Sequence, residues 1–296
     1  MPRSVSPWLP ASVLSFREYN LATFRHDLIA GVTVGLVALP LGMAFAIASG
    51  LPPQSGIYCA IVTGFLISAL GGSRTQIGGP TGAFVVVIAG IIAEHGVQGL
   101  FMCTMMAGVM LILLGVTGTG SAVKFIPRPV IIGFTNGIAV LIASTQISEF
   151  LGVSVTENVG EFLDRMAAVW RHMDTLSMYS VAVGSGALAV ILLVNRFVRG
   201  VPGTVVALVA GTFAAWALEL PVETIGSRFG SIPAGLPEFH IPAFDPTLIT
   251  KLISPAVTVA MLGAIESLMS AVVADRMSGD RQNPNVELIA QGVANV

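Results

Sequence analysis

Apolar residues fall in long blocks of about 18 to 25, each closed by glycine, proline or charge, which is the length a helix needs to cross ~30 Å of hydrocarbon. These blocks predict eight spans: Leu28 to Ser49, Ser55 to Leu70, a short third from Thr81 to Ala93, Val97 to Val116, Pro129 to Leu151, Met178 to Val194, Thr204 to Leu220 and Leu248 to Ala274. A ninth opens at Val286. Two polar stretches are too long for tight turns. Residues 152–177 contain FLDRMAAVWRHM, an amphipathic pattern that predicts a helix lying at the membrane interface. Residues 221–246 are rich in proline and glycine and predict an irregular extracytoplasmic link, ahead of a last segment, 247–296.

The cations fix which way the spans point. With residues 1–27 cytoplasmic and the spans alternating, Arg3, Arg17, Arg25, Arg74, Lys124, Arg128, Arg196, Arg199, Arg276 and Arg281 fall inside. Only Arg165, Arg171, Arg228 and Lys251 fall outside, as the positive-inside rule expects. The acids do the reverse, with Glu94, Glu149, Glu157, Glu161, Asp164, Asp174, Glu219, Glu223, Glu238 and Asp245 outside. Dropping the short third span would invert everything downstream, so the charge pattern supports it.

Composition agrees with a polytopic membrane protein: 54% of residues are apolar and only 10% charged, whereas a soluble domain needs roughly 25% charge to cover its surface. A net charge of -2 leaves no basic face for nucleic acid. Cys59 and Cys103 both lie in apolar blocks and imply no disulfide framework. No cleavable signal, nucleophile motif or phosphate loop is visible, His26, His95, His172 and His240 have no metal-ligand spacing, and neither an enzyme nor a cofactor is expected.

Thr81 to Ala93 makes only about 20 Å of helix, too short to cross alone. Before it runs GSRTQIGGPTGAF, Gly72 to Phe84, glycine-rich and β-prone. Non-helical backbone at that depth is tolerated only inside protein or beside a water-filled cavity. An extended segment that turns into a half-helix is therefore expected, its first N–H groups pointing into the middle of the membrane. Thr81, Gly82, Ala83 and Phe84 would form that first turn, where the partial positive charge favours an anion. Pro80 suits the entrance of a helix, Gly82 allows close approach and Thr81 adds a hydroxyl.

Glu266 is the only acid read as lying deep inside a span, at a cost of roughly 2.5 to 3.5 kcal/mol on insertion scales, so it should face protein or a cavity. A carboxylate that takes up a proton together with an anion would couple the two fluxes. Ser270, one turn on, shares its face and could ligate substrate or a cation. Glu266 bridging two helices is the bland alternative. Thr135, Asn136, Gln146 and Ser148 could line a cavity but read more readily as helix-packing glue, and Gly31 with Gly35 as a close-packing pair.

At these residues the chain resembles the SulP (sulfate permease) family of anion transporters. DLIAGVTVGLVALPLGMAFAIASGLPPQSGIY (27–58), GGSRTQIGGPTGAFVVV and IPRPVIIGFTNGIAV (126–140) are similar to the first-, third- and fifth-span regions of that family. LGAIESLMSAVVADRMSG and NVELIAQGVANV resemble its eighth and ninth spans. The resemblance implies an all-α, seven-plus-seven inverted-repeat transporter like the uracil permease-type carriers, usually followed by a cytoplasmic STAS domain. Residues 28–220 would be the first repeat and 247–296 the start of the second, so a fragment is expected that lacks the facing tenth-span half-helix. Carried over by position, Pro80 to Phe84 supply the third-span end of the site, Glu266 and Ser270 the eighth-span polar positions, and Leu39 to Ala44 the first-span wall. Leu41 stands where many members have Gln after the span's proline.

Glu rather than Asp at 266 resembles the proton-coupled bacterial branch, and GAIESL with GPTGAFVVV the members that move succinate and other C4-dicarboxylates. The expectation is thus a secondary carrier in the cell's inner membrane, a homodimer by resemblance. It would move a small inorganic or dicarboxylate anion with a proton, by alternating access. The alternatives are sodium-coupled bicarbonate or sulfate entry with Glu266 and Ser270 holding the cation, an anion channel, and a membrane scaffold for a signalling domain.

Overall fold

The computed structural model describes residues 8–16, 19–121, 128–155, 162–198, 201–230, 235 and 245–296. Arg3, Arg17, Lys124, Arg199, Glu157, Glu161, Glu238 and His240, the side chains of Arg128 and Thr135, and most of 231–244 in the predicted link lie outside them. Among the described residues the α-helices are α1 (Ala11–Ser15), α2 (Leu21–Ala48), α3 (Pro53–Leu70), α4 (Val85–Val116), α5 (Arg128–Leu151), α6 (Phe162–Arg171), α7 (Met178–Phe197), α8 (Gly203–Ala217), α9 (Ile225–Phe229), α10 (Pro246–Ser278) and α11 (Pro284–Asn295). A 3-10 turn, Gly82–Phe84, leads into α4. No strand occurs among the described residues.

The third predicted span is present as a half-helix. The helical run through α4 is not one rod, because Gly96 sits at φ 68°, ψ -179°, a conformation essentially reserved for glycine. In a straight helix Phe84 and Leu111 would stand about 40 Å apart. Yet a Cβ at Gly263 of α10 would lie 3.7 Å from the Phe84 ring and 3.8 Å from Leu111. The run therefore folds back at Gly96 into a hairpin, whose limbs match the separate third and fourth spans read from the sequence. Both limbs pack on α10 around a core of Ile91, Cys103, Ala107, Leu111, Ala256 and Ala260.

Lipid gives helices no hydrophobic incentive to associate, so close backbone approach at small residues must hold them. A Cβ at Gly42 of α2 would stand 2.9 Å from the carbonyl oxygen of Gly56 on α3. A Cβ at Gly108 of α4 would stand 2.7 Å from the carbonyl oxygen of Gly292 on α11. The expected pair is different: a Cβ at Gly31 or Gly35 would meet nothing within 4 Å. Those two glycines lie on a face of α2 that no described helix covers.

Helix ends depart from the apolar blocks where capping residues decide them. α2 begins at Leu21 rather than Leu28, because the Asn20 side chain accepts from the Thr23 N–H and carries the helix through Arg25, His26 and Asp27. Asp245 and Pro246 start α10, which runs past Ala274 to a left-handed Gly279. α8 is only 15 residues, shorter than the predicted seventh span. The link read as irregular carries α9, held by a Thr224–Ser227 capping box. α6 forms within the predicted amphipathic stretch, burying Ala168 and Val169 while Leu163 and Trp170 stay exposed.

Two packed groups result. α1 to α4 pack with α10 and α11, while α5 packs on α6 and α7, and α7 on α8. They meet where α5 touches the Gly82–Phe84 turn and where α2 touches α8. Loops predicted on one side gather at one end: Ala11 N–H donates to the Gly71 carbonyl at 2.8 Å, and Arg74 lies 3.6 Å from Asp280. At the other end Arg228 binds Glu149 at 3.0 Å.

Gly96→Ala should lower the thermal stability of the detergent-purified protein by about 1 to 3 kcal/mol. Gly90→Ala, at a helical site with nothing within 4 Å of the new methyl, should leave it unchanged or raised. Equal melting of the two variants would contradict the hairpin.

Candidate anion-binding site

The site begins with a backbone that has no ladder to join. After α3 ends at Leu70 the chain runs without helix to Thr81, which is extended at φ -127°, ψ 151°. A stretch of ten residues can reach at most ~33 Å, ample to climb from a membrane face to its middle. It stays extended rather than forming a strand because its neighbours are helices. A Cβ at Gly64 of α3 would touch the Gly78 carbonyl oxygen at 3.4 Å.

At the top of that climb the chain turns into helix. The Phe84 N–H closes onto the Thr81 carbonyl at 3.3 Å, while the first N–H groups of the turn precede any helical acceptor. Thr81 makes no side-chain cap to this turn. Its hydroxyl instead donates to Oε2 of Glu266, on α10, at 2.9 Å. Gly82 has no room for a side chain: a Cβ there would run into Ile142 of α5 and stand 3.2 Å from the Phe45 ring of α2. Helices α2, α5 and α10 thus surround the tip of the half-helix.

A cavity of about 560 Å³ opens beside it. Pro80, Thr81 and Phe84 line it together with Glu266 and Ser270, and among the described residues Glu266 is the only charged one on the lining. The structure therefore brings together most of the residues singled out from the sequence. Gly82 and Ala83 form the turn behind that lining. Ser270 is less committed to Glu266 than its spacing suggested, since its hydroxyl donates to the Ser267 carbonyl at 3.0 Å.

Leu41 is the exception. It is 46% exposed and does not line the cavity; Phe45, Ala46 and Ser49 supply the α2 wall. Gly42 faces α3 and Pro80, and the 100° step between successive helix residues turns Leu41 away from that contact. Gln146 and Ser148 lie elsewhere, on a separate cavity of about 350 Å³ together with Arg165 and Arg228.

Sequence reasoning missed a polar cluster in which Gln76, Ser267 and Gln291 line the cavity and Glu287 stands behind them. Gln76 Nε2 donates to Ser267 Oγ at 2.9 Å, and Gln291 Nε2 donates to the same oxygen at 3.0 Å. Ser267 in turn donates to Oε1 of Glu287 at 3.4 Å. Glu287, at the start of α11, is 0% exposed, so a second acid besides Glu266 is enclosed by the protein. The amide oxygen of Gln76 is buried with no partner among the described residues. The one advance signal was Asn283-Pro284 with an acid in the turn that follows, which announces a helix start but not a burial.

The sequence profile described as the Sulfate permease family matches residues 24–296. The chain is 44% identical over 283 residues to the "Putative sulfate transporter YvdB" of Bacillus subtilis, covering 95% of this chain and 53% of that protein. It is 33% identical over 289 residues to the "Bicarbonate transporter BicA" of Picosynechococcus, covering 94% and 51%. The chain spans about half the length of these curated relatives. Among solved structures, the transmembrane domain of a cyanobacterial bicarbonate transporter BicA superposes with a TM-score of 0.82 at 31% identity, covering 94% of this chain and 72% of that one. Murine Slc26a9, an anion transporter in its inward-facing state, superposes with a TM-score of 0.83 at 17% identity, covering 97% and 52%, and shares the fold.

Cys59 lines the cavity and Cys103 is 0% exposed, so a small anionic thiol reagent should modify Cys59 and spare Cys103. Peptide mass spectrometry reads this directly, and modification of Cys103 alone would contradict the cavity.

Proposed function

The chain belongs to the sulfate permease family, and from that premise we propose that it carries half of an alternating-access site moving a small oxyanion together with a proton. The observation that carries this reading is the 2.9 Å bond from Thr81 to Glu266 at the tip of the half-helix. It puts a titratable carboxylate beside the N–H groups that would hold the anion.

The coupling follows from what a hydroxyl can do. While Glu266 is ionised it takes the Thr81 hydrogen and repels an anion. Two unit charges about 6 Å apart at an effective dielectric near 20 repel by roughly 3 kcal/mol, about a hundredfold in affinity. Once protonated, Glu266 can donate to Thr81 Oγ, which turns the Thr81 hydrogen toward the cargo and removes the repulsion. Proton and anion then raise each other's affinity by the same factor. Movement of the α1–α4, α10 and α11 group against α5 to α8 would carry the pair across, since the turn lies on their joint. The carrier works as a homodimer in the plasma membrane with its N-terminus in the cytoplasm.

Sulfate and C4-dicarboxylates are the cargo of this first reading. A specific feature favours bicarbonate in a second, sodium-coupled one, with Glu266 and Ser270 holding the cation. The unpartnered oxygen of Gln76 suits a ligand that brings a hydrogen-bond donor, as bicarbonate does and sulfate does not. Relatives named for sulfate and for bicarbonate are both similar to the chain.

In liposomes holding the full-length carrier, an inward proton gradient should accelerate uptake of sulfate or succinate. Unchanged rates would refute proton coupling, and loss of uptake when choline replaces sodium at fixed pH would establish the second reading. Single-channel currents would instead mark a channel. Glu266→Gln mimics the protonated form and should bind anion at least as tightly as wild type, yet lose pH-dependent uptake. Thr81→Val should retain transport but weaken its response to pH by about tenfold.

A further inference from the structure

Glu287 has no part in the coupling scheme above, although it is the most deeply enclosed acid described. It is 0% exposed and does not line the cavity, so cargo cannot touch it. Both of its oxygens face donors. Oε2 accepts the Gly72 N–H at 3.0 Å, and Oε1 accepts the Ser267 hydroxyl at 3.4 Å and the Gln291 amide at 3.5 Å.

With both glutamine amide nitrogens toward Ser267, counting hydrogens sets the direction of these bonds. Ser267 has one hydrogen and two lone pairs. Its lone pairs are filled by Gln76 and Gln291, so its hydrogen goes to Glu287 and it has nothing left to accept. A proton on Glu287 would meet donors at both oxygens. Glu266 differs on each point: it lines the cavity, and its side-chain partner is a hydroxyl that can reverse.

We propose that Glu287 is a positioning residue of the anion site: a fixed carboxylate that clamps the extended segment before the half-helix onto α10 and α11, and so sets where the Thr81–Phe84 turn stands. Gly72 is held on both sides, because its carbonyl also accepts the Asn283 N–H at 3.0 Å. Four residues on, Gln76 ties the same segment to the same serine. From there only an extended stretch separates it from Thr81. The clamp leaves no space to spare, since a Cβ at Gly72 would collide with the Asn283 carbonyl and one at Gly71 would stand 2.8 Å from Oε2. Arg74 and Asp280 join the same two loops at 3.6 Å, but with side chains 48% and 38% exposed their pairing is screened and adds little.

This proposal rests on the anion-transport reading, so its test has one arm that needs no transport. In the full-length carrier, Glu287→Gln should speed amide hydrogen exchange across residues 72–84 by about tenfold or more, leaving α7 and α8 unchanged. In liposomes it should raise KM for the anion by about tenfold, change kcat less than about threefold, and leave the shape of the pH profile intact. Glu266→Gln should do the opposite, flattening the pH profile with normal exchange at 72–84. Ser267→Ala removes one donor while Glu287 keeps the others, and should speed exchange by about threefold; because Ser267 also lines the cavity, it is this exchange readout that decides the matter if Glu287→Gln does not fold. Arg74→Ala should change neither readout. Normal exchange in both Glu287→Gln and Ser267→Ala, with normal KM in Glu287→Gln, would overturn the clamp. A flattened pH profile at unchanged KM in Glu287→Gln would also overturn it, by making Glu287 a proton carrier. If the wild type moves none of sulfate, succinate or bicarbonate while Glu287→Gln still loosens residues 72–84, the clamp stands and the transport reading falls.

Discussion

A polypeptide that leaves helical form inside a bilayer must find every hydrogen bond within the protein, because hydrocarbon supplies none. Most of what is distinctive here follows from that requirement at residues 71–81. The segment lies against α3, is gripped at Gly72 by the first turn of α11, and reaches Ser267 of α10 through Gln76. Gly71 and Gly72 are what such enclosure demands, since a Cβ at either would meet a backbone carbonyl or the Glu287 carboxylate, and one at Gly78 would run into the Ile67 side chain. The reward for enclosing an awkward extended segment is a helix that begins beside a cavity, with Pro80, Thr81 and Phe84 on its lining.

Two glutamates stand within one turn's reach of Ser267 and serve opposite ends. Glu287 is saturated with donors and sealed from the cavity, the environment of a structural anion. Glu266 keeps a hydroxyl partner and a face on the cavity, the environment that the proposed coupling requires. The chemistry of the residue is identical in both places, and the difference lies in how many donors surround it and whether water and ions can arrive.

Much of the fold was legible because bilayer thickness turns length into topology. Thr81 to Ala93 was too short to cross, the charge count needed it nonetheless, and the break before Val97 is the φ of Gly96. Helix termini were less legible, since hydropathy marks the buried part of a helix while a cap such as Asn20 marks its end. The half-helix tip and Glu266 could be found from local pattern. Glu287 could not, because its partner Gly72 is 215 residues away and nothing local distinguishes a sealed carboxylate from a solvated one. Gly31 and Gly35 had the right spacing and the wrong face; Gly108 and Gly292 lie far apart in sequence and announce their contact through no motif.

The distance between Gly72 and Glu287 also bears on biogenesis. At about 5 to 20 residues per second, a ribosome needs on the order of 10 to 40 s to travel from the first to the second. Throughout that interval the short third span exists without the helices that later satisfy its leader. It cannot rest in the lipid as the neighbouring spans do, and must wait at the membrane surface or in the shelter of the insertion machinery until α10 and α11 arrive. Late closure of this kind makes the nascent chain vulnerable to quality control, and any substitution that slows docking of α11 would reduce how much protein reaches the membrane.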